Sequence, residues 1–136
     1  MKALLFPGQG VQKIGMLDEI ISSNSEIHDF LAKASEGLDF DLIKLIASGP
    51  EEKLNLTEYA QPAILASSIA IIRAKKLNSN ITVTAGLSLG EYSALVFANC
   101  LKFSDALKLV NVRGRLMQNA VPEGCLLYTS PSPRDR

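Results

Sequence analysis

A chain of 136 residues is long enough for one domain with its own core. Its 47% hydrophobic and 21% charged content fits a globular protein and argues against disorder. With 14 basic and 14 acidic residues and no basic block, it offers nothing to a nucleic acid or an anionic membrane. The longest apolar run, Ala63 to Ile72, is too short to span a bilayer and carries Ser67 and Ser68. One lysine and a few apolar residues before Pro7 do not make a signal peptide. Cys100 and Cys125 lie far apart and give neither a disulfide framework nor a metal pattern. The expected setting is reducing and cytoplasmic.

In chain order, Lys2 to Phe6 reads as a short buried strand ending at Pro7-Gly8-Gln9-Gly10, where glycines let the backbone approach a ligand or another loop. Met16 to Ile21 has the length of a helical turn or two before Ser22-Ser23-Asn24. Ser25 reads as the N-cap of a helix with Ile27, Phe30, Leu31 and Ala34 on one face and Gly37 as its stop. His28, the only histidine, and Asp29 fall off that face and read as surface residues. Asp41 caps a short apolar helix, Leu42 to Ala47, which ends at Gly49-Pro50, and Pro50 starts the next turn, Glu51 to Leu54. Glu51 and Glu52 suit the positive end of that turn and make a poor catalytic pair. A long helix follows from about Glu58 to Lys76, with Pro62 near its first turn. Its middle is apolar nearly all round, which marks a central, buried helix.

After the Asn78-Ser79-Asn80 loop, the β-branched run Ile81 to Thr84 favours a strand. A helix-forming stretch then places Leu89, Tyr92, Leu95 and Val96 on one face. Between them lies Gly86-Leu87-Ser88-Leu89-Gly90, a G-x-S-x-G pentad at a strand-to-helix turn, the setting of a nucleophile elbow. The turn strains Ser88, and Gly86 and Gly90 remove the Cβ atoms that would clash. Ser88 Oγ then projects at a helix N-terminus, where free N–H groups favour developing negative charge. The plainer alternative is a glycine-bracketed turn with a capping serine. Ser104 caps a last helix, reaching about Ala120, with Phe103, Leu107, Val110 and Met117 inward and Arg113 and Arg115 projecting near its middle. The order of elements is that of an α/β protein with a parallel sheet. Residues 125–136 have no periodicity, two Ser-Pro pairs and a charged end, and read as a foreign tail after a domain segment of residues 1–124.

Four segments together resemble the malonyl-CoA:acyl carrier protein transacylase family: Phe6-Pro-Gly-Gln-Gly10, Leu56-Thr-Glu-Tyr-Ala-Gln-Pro-Ala63, Gly86-Leu-Ser-Leu-Gly-Glu-Tyr-Ser-Ala-Leu95 and Arg113-Gly-Arg-Leu-Met-Gln118. The resemblance runs through residues 1–124. It implies a parallel-sheet, α/β-hydrolase-like acyltransferase core, truncated before a ferredoxin-like subdomain. It implies transfer of a malonyl group from malonyl-CoA to the phosphopantetheine thiol of acyl carrier protein, in fatty acid biosynthesis. Ser88 is then the nucleophile, Gln9 and Leu89 supply oxyanion N–H groups, and Arg113 binds the free carboxylate of malonate. No metal or tightly bound cofactor is implied; a coenzyme A thioester and acyl carrier protein are the partners.

Two departures accompany the resemblance. Leu87 stands where the family often has histidine, which changes packing at the elbow and leaves the chemistry intact. The family's catalytic histidine, a glutamine-bearing loop near it and the ferredoxin-like subdomain all fall beyond this chain's length, and His28 cannot replace the base. The expectation is an inactive or nearly inactive fragment, with exposed strand edges, thinner cover over Ala63–Ile72 and a tendency to aggregate. Rival readings are an α/β serine hydrolase, a non-catalytic carrier-protein-binding fragment, and a module of a larger synthase. A start at Met1, just before the first strand, favours a stand-alone enzyme.

Overall fold

The computed structural model describes residues 2–77 and 80–120. Helix α5 (Thr57–Ala74) carries the core because its sequence offers no polar face wide enough to meet water. Ala63, Leu65, Ala66 and Ala70 are fully buried in it. Pro62 sits inside this helix and has no N–H to give to the carbonyl of Glu58, one turn back. Asn111 Nδ2 donates to that carbonyl instead, at 3.0 Å, so the proline leaves no orphaned acceptor. Ser67 Oγ donates to the Ala63 carbonyl at 2.8 Å, which lets a hydroxyl sit in the same apolar layer.

Helix α7 (Phe103–Ala120) packs along α5 through Ala106, Leu107, Val110 and Gly114. A Cβ on Gly114 would lie 2.5 Å from the Thr57 carbonyl oxygen and 2.6 Å from Glu58 Cα, so only glycine lets the two helices touch there. At its other end, Phe30 stacks on Phe103 with ring centroids 4.7 Å apart, and the Arg73 guanidinium lies 4.0 Å above the Phe30 ring. These contacts join α7 and α5 to α2 (Ser25–Ser35). Short helices α1 (Asp18–Ser23), α3 (Leu42–Ser48) and α4 (Glu51–Asn55) complete this layer.

Strands β1 (Ala3–Phe6) and β2 (Val83–Gly86) pair in parallel, in register from Ala3 with Val83 to Phe6 with Gly86. A parallel pair needs a crossover, and helices α1 to α5 supply it. Helix α6 (Leu89–Phe97) follows β2 directly and packs on both strands. Among the described residues no helix is long and apolar enough to cross a membrane.

Several boundaries and faces differ from the sequence expectations. Asn24, not Ser25, caps α2: its backbone is extended and its side chain accepts from Ile27 N. That helix ends at Ser35, before Gly37. Asp41 does cap α3, accepting from Lys44 N at 2.9 Å. Pro50 takes the N-cap position of α4. The second strand lies two residues later than Ile81–Thr84, because the ladder with β1 runs on through Gly86 into the elbow. Helix α7 starts at Phe103, with Ala106 N donating to Lys102 O, which puts Ser104 inside the first turn.

On α6 the buried face is Leu89, Gly90, Ser93, Ala94 and Val96, while Leu95 is exposed; small residues face inward because the helix lies so close to β1. The first strand is not buried as expected: Phe6 is, but Leu5 is 73% exposed on the face the helices leave open. The central helix keeps its cover, with Ile71 the exposed large apolar residue between Ala63 and Ile72. His28 and Arg115 are on the surface. Residues 125–136, with Cys125, and the Asn78-Ser79 part of the loop before β2 lie outside the described residues.

Candidate active site

Ser88 sits between the last residue pairs of β2 and the first turn of α6, at φ 52° and ψ −103°. A non-glycine residue there is strained, and the surrounding contacts hold it. A Cβ on Gly86 would fall on the backbone of Gly90 and Glu91. A Cβ on Gly90 would fall on the Phe6 carbonyl oxygen and lie 2.9 Å from its carbon and from the Pro7 oxygen. The two glycines therefore let α6 close down on both strands at once, and the sharp turn at Ser88 results. The serine does not cap the helix with its side chain, so Oγ is left for other partners.

The two loops beyond the strand ends leave the same edge of the sheet. Phe6 is paired with Gly86, so Gln9 and Leu89 each lie three residues past the end of the register. The loops touch: a Cβ on Gly8 would be 3.0 Å from the Leu87 carbonyl oxygen, and Leu87 itself is 75% exposed beside it. Among the described residues neither the Gln9 nor the Leu89 backbone N–H has an acceptor. The Gln9 side chain is anchored, its Nε2 donating to Thr57 Oγ1 at 3.2 Å. Thr57 N in turn donates to Gln118 Oε1 at 3.1 Å, which ties the β1 loop, α5 and α7 together.

Arg113 reaches this point from α7. Its Nη2 donates to Ser88 Oγ at 2.9 Å and its Nη1 to Gln61 Oε1 at 2.8 Å. The guanidinium carbon is 5.6 Å from the Tyr92 ring centroid. Among the described residues no carboxylate lies within ion-pair distance of it. A planar cation thus stands beside a strained serine hydroxyl with no anion to neutralise it, and a carboxylate can meet such a guanidinium through two parallel hydrogen bonds. His28 is elsewhere. It lies on α2 with Nδ1 3.5 Å from Asp29 Oδ1, beside a surface depression that includes Ser35 and Phe40. A second depression, of about 570 Å³, lies at the far end of α6 between Phe30, Arg73 and Phe97. Ser88 and Arg113 line neither.

The sequence marks Ser88, Gly86, Gly90, Gln9, Leu89 and Arg113, and the structure gathers them past the ends of β1 and β2, at the start of α6 and against the middle of α7. Gln61, Thr57 and Gln118, and Met117 beyond its place on an inward face, carry no site role in that reading, although all lie within the quoted motifs. Gln61 had a signal: a polar side chain at the start of a run apolar on every face, and it is 1% exposed.

The acyl transferase domain family matches residues 3–130. The malonyl CoA-acyl carrier protein transacylase of Haemophilus influenzae is 50% identical over 125 residues, 90% of this chain and 40% of that protein. An acyl carrier protein S-malonyltransferase structure from Vibrio cholerae matches with a TM-score of 0.82 at 49% identity, covering 90% of this chain and 40% of that one. A malonyl-transacylase solved in complex with its type II PKS acyl-carrier protein gives 0.82 at 48% identity, with 90% and 40% covered. The chain thus spans about 40% of the length of these relatives.

Proposed function

The chain belongs to the acyl transferase domain family, and from that premise we propose that it carries the nucleophile and carboxylate-clamp part of a malonyl-CoA:acyl carrier protein transacylase site. The observation that carries this reading is the 2.9 Å contact between Arg113 Nη2 and Ser88 Oγ, made across 25 residues of sequence. A hydrolase has no use for a guanidinium at its nucleophile; an enzyme that accepts a free carboxylate beside the reacting carbonyl does.

In this reading Ser88 Oγ attacks the thioester carbonyl of malonyl-CoA and gives up its proton to a base. The carbonyl oxygen becomes an oxyanion, held by the Gln9 and Leu89 N–H groups, whose loss typically costs about a hundredfold or more in rate. The C–S bond then breaks, coenzyme A leaves as its thiol, and the malonyl group remains as a Ser88 ester. In the second half the phosphopantetheine thiol of acyl carrier protein gives its proton to the base and attacks that ester, the bond from the acyl carbon to Ser88 Oγ breaks, and Oγ takes the proton from the base. Arg113 leaves Ser88 Oγ for the malonate carboxylate and keeps it through both halves.

A serine hydroxyl is a weak nucleophile until a base takes its proton. His28 points nowhere near Ser88, and the resemblance puts the family's histidine beyond these 136 residues. The chain alone is therefore inactive or nearly so. Intact-mass spectrometry with malonyl-CoA tests both statements, with imidazole added as an external base. We expect no adduct without imidazole, a malonyl adduct with it, and none on Ser88→Ala. An equal adduct on Ser88→Ala, or none from a folded chain that binds malonyl-CoA, overturns the nucleophile. An adduct formed readily without imidazole overturns the inactivity. Binding of acyl carrier protein with no acylation under either condition would favour a non-catalytic carrier-binding role.

A further inference from the structure

Resting on the reading of Arg113 as a carboxylate clamp, we propose that Gln61 is the positioning residue of that clamp, and that its neutrality is what lets the site prefer an anionic acyl group to a neutral one. Gln61 is on α5, 1% exposed, immediately before Pro62. Both ends of its carboxamide are held by α7. Oε1 accepts from Arg113 Nη1 at 2.8 Å, and Nε2 donates to Met117 Sδ at 3.4 Å. Arg113 and Met117 are four residues apart, one turn along the same face of that helix.

This arrangement fixes which way the amide points. A thioether sulfur accepts weakly and never donates, whereas a guanidinium only donates. With the amide reversed, its NH2 would face the Arg113 donors and its oxygen would face sulfur, leaving two buried groups without complementary partners. Met117 therefore makes Gln61 an acceptor toward Arg113, and the guanidinium is aimed at Ser88 as a result.

The same geometry with a carboxylate at position 61 would aim Arg113 equally well, but it would cancel its charge. A carboxamide orients the guanidinium through one hydrogen bond and leaves the full positive charge for an incoming carboxylate. That matters because no carboxylate among the described residues pairs with Arg113. A neutral acyl group such as acetyl gains nothing from that charge. Selectivity for malonyl then depends on two features together: the arginine, and the absence of a protein anion beside it.

The test compares malonyl-CoA and acetyl-CoA affinities by calorimetry for the 136-residue chain, with circular dichroism to confirm folding. For the unaltered chain we expect malonyl-CoA to bind more tightly. Gln61→Glu should reduce the malonyl-to-acetyl affinity ratio by about tenfold or more while leaving acetyl-CoA affinity within about threefold. Gln61→Met, which keeps the charge but loses the aim, should reduce the ratio by less. A folded Gln61→Glu chain with an unchanged ratio overturns the proposal. Should that variant not fold, an unchanged ratio in Gln61→Met overturns it instead. Arg113→Ala separates the two readings: if it too leaves the ratio unchanged, the clamp itself has failed, whereas a collapse there alone condemns only Gln61. Side-chain ¹⁵N spectra supply an arm that needs no ligand. Resolved, slowly rotating Arg113 Nη–H signals are expected in the unaltered chain and averaged ones in Gln61→Met, and averaged signals in both overturn the proposal.

Discussion

Helix α5 and the sheet it packs near are both made largely of apolar residues, yet Leu65 is 0% exposed while Leu5 is 73% and Val83 49%. In parallel α/β folds both faces of the sheet are ordinarily covered by helices. Here α6 packs on the sheet, and the face turned away from it carries Ala3, Leu5, Val83 and Ala85 outward. The helical layer has its own caps, its own interhelical hydrogen bonds and a closed apolar interior. The sheet has two strands, and a pair of strands is marginal without packing.

The candidate site straddles the two regions. Its backbone parts, the strained Ser88 and the Gln9 and Leu89 N–H groups, hang on the strand ends. Its side-chain parts, Arg113, Gln61 and Thr57, belong to the packed helices. The proposed carboxylate clamp therefore lies on the more finished half of the chain and the proposed acylation machinery on the less supported one.

Four substitutions, with a fifth added to the last as a rescue, probe that contrast. The largest effect is expected for Gly90→Val, which drives a side chain into the Phe6 carbonyl where α6 meets β1. Backbone atoms cannot step aside as side chains do, so a loss of about 3 kcal/mol or more is expected, seen as a non-cooperative melt by circular dichroism. A normal melt would mean that the elbow is not pinned by this contact. Next comes Leu65→Ala in the closed interior, at about 2–5 kcal/mol in a urea titration. Its counterpart on the open face, Leu5→Lys, should change stability by no more than about 0.5 kcal/mol while raising the concentration at which the chain stays monomeric in sedimentation. Equal costs at the two positions would erase the distinction between the regions. Asn111→Leu is smaller, about 1–3 kcal/mol, because it leaves the Glu58 carbonyl freed by Pro62 without a donor. Adding Pro62→Ala to Asn111→Leu should recover part of that loss, since the helix can then use its own N–H.

Much of this was legible along the chain. The Asp41 cap, the all-round apolar run of α5 and the glycine-serine-glycine turn are local patterns, in which the residue types themselves demand a cap, burial or a tight turn. Strand and helix ends were less so. Asn24 and Ser25 are both good caps, and the one whose backbone is extended takes the position. The end of β2 is set by the register with β1, which no local pattern contains. On α6 Leu89 and Val96 are buried as apolar periodicity expects, but Leu95 is exposed, because close approach to a strand selects glycine, serine and alanine.

What the sequence determined by itself is the chemistry available: a serine at a strained turn before a helix, an arginine at a helical position, and one histidine on the surface of another helix. These follow from residue type and short-range spacing. Only the tertiary structure decided that Arg113 meets Ser88, that Gln61 and Met117 flank that contact, and that Thr57 and Gln118 tie the Gln9 loop to two helices. Those contacts join residues some 25 to 61 positions apart. They exist because Gly114 lets α7 lie against α5 and Gly90 lets α6 lie against β1, and where two backbones come to touch is settled by the packing of whole elements.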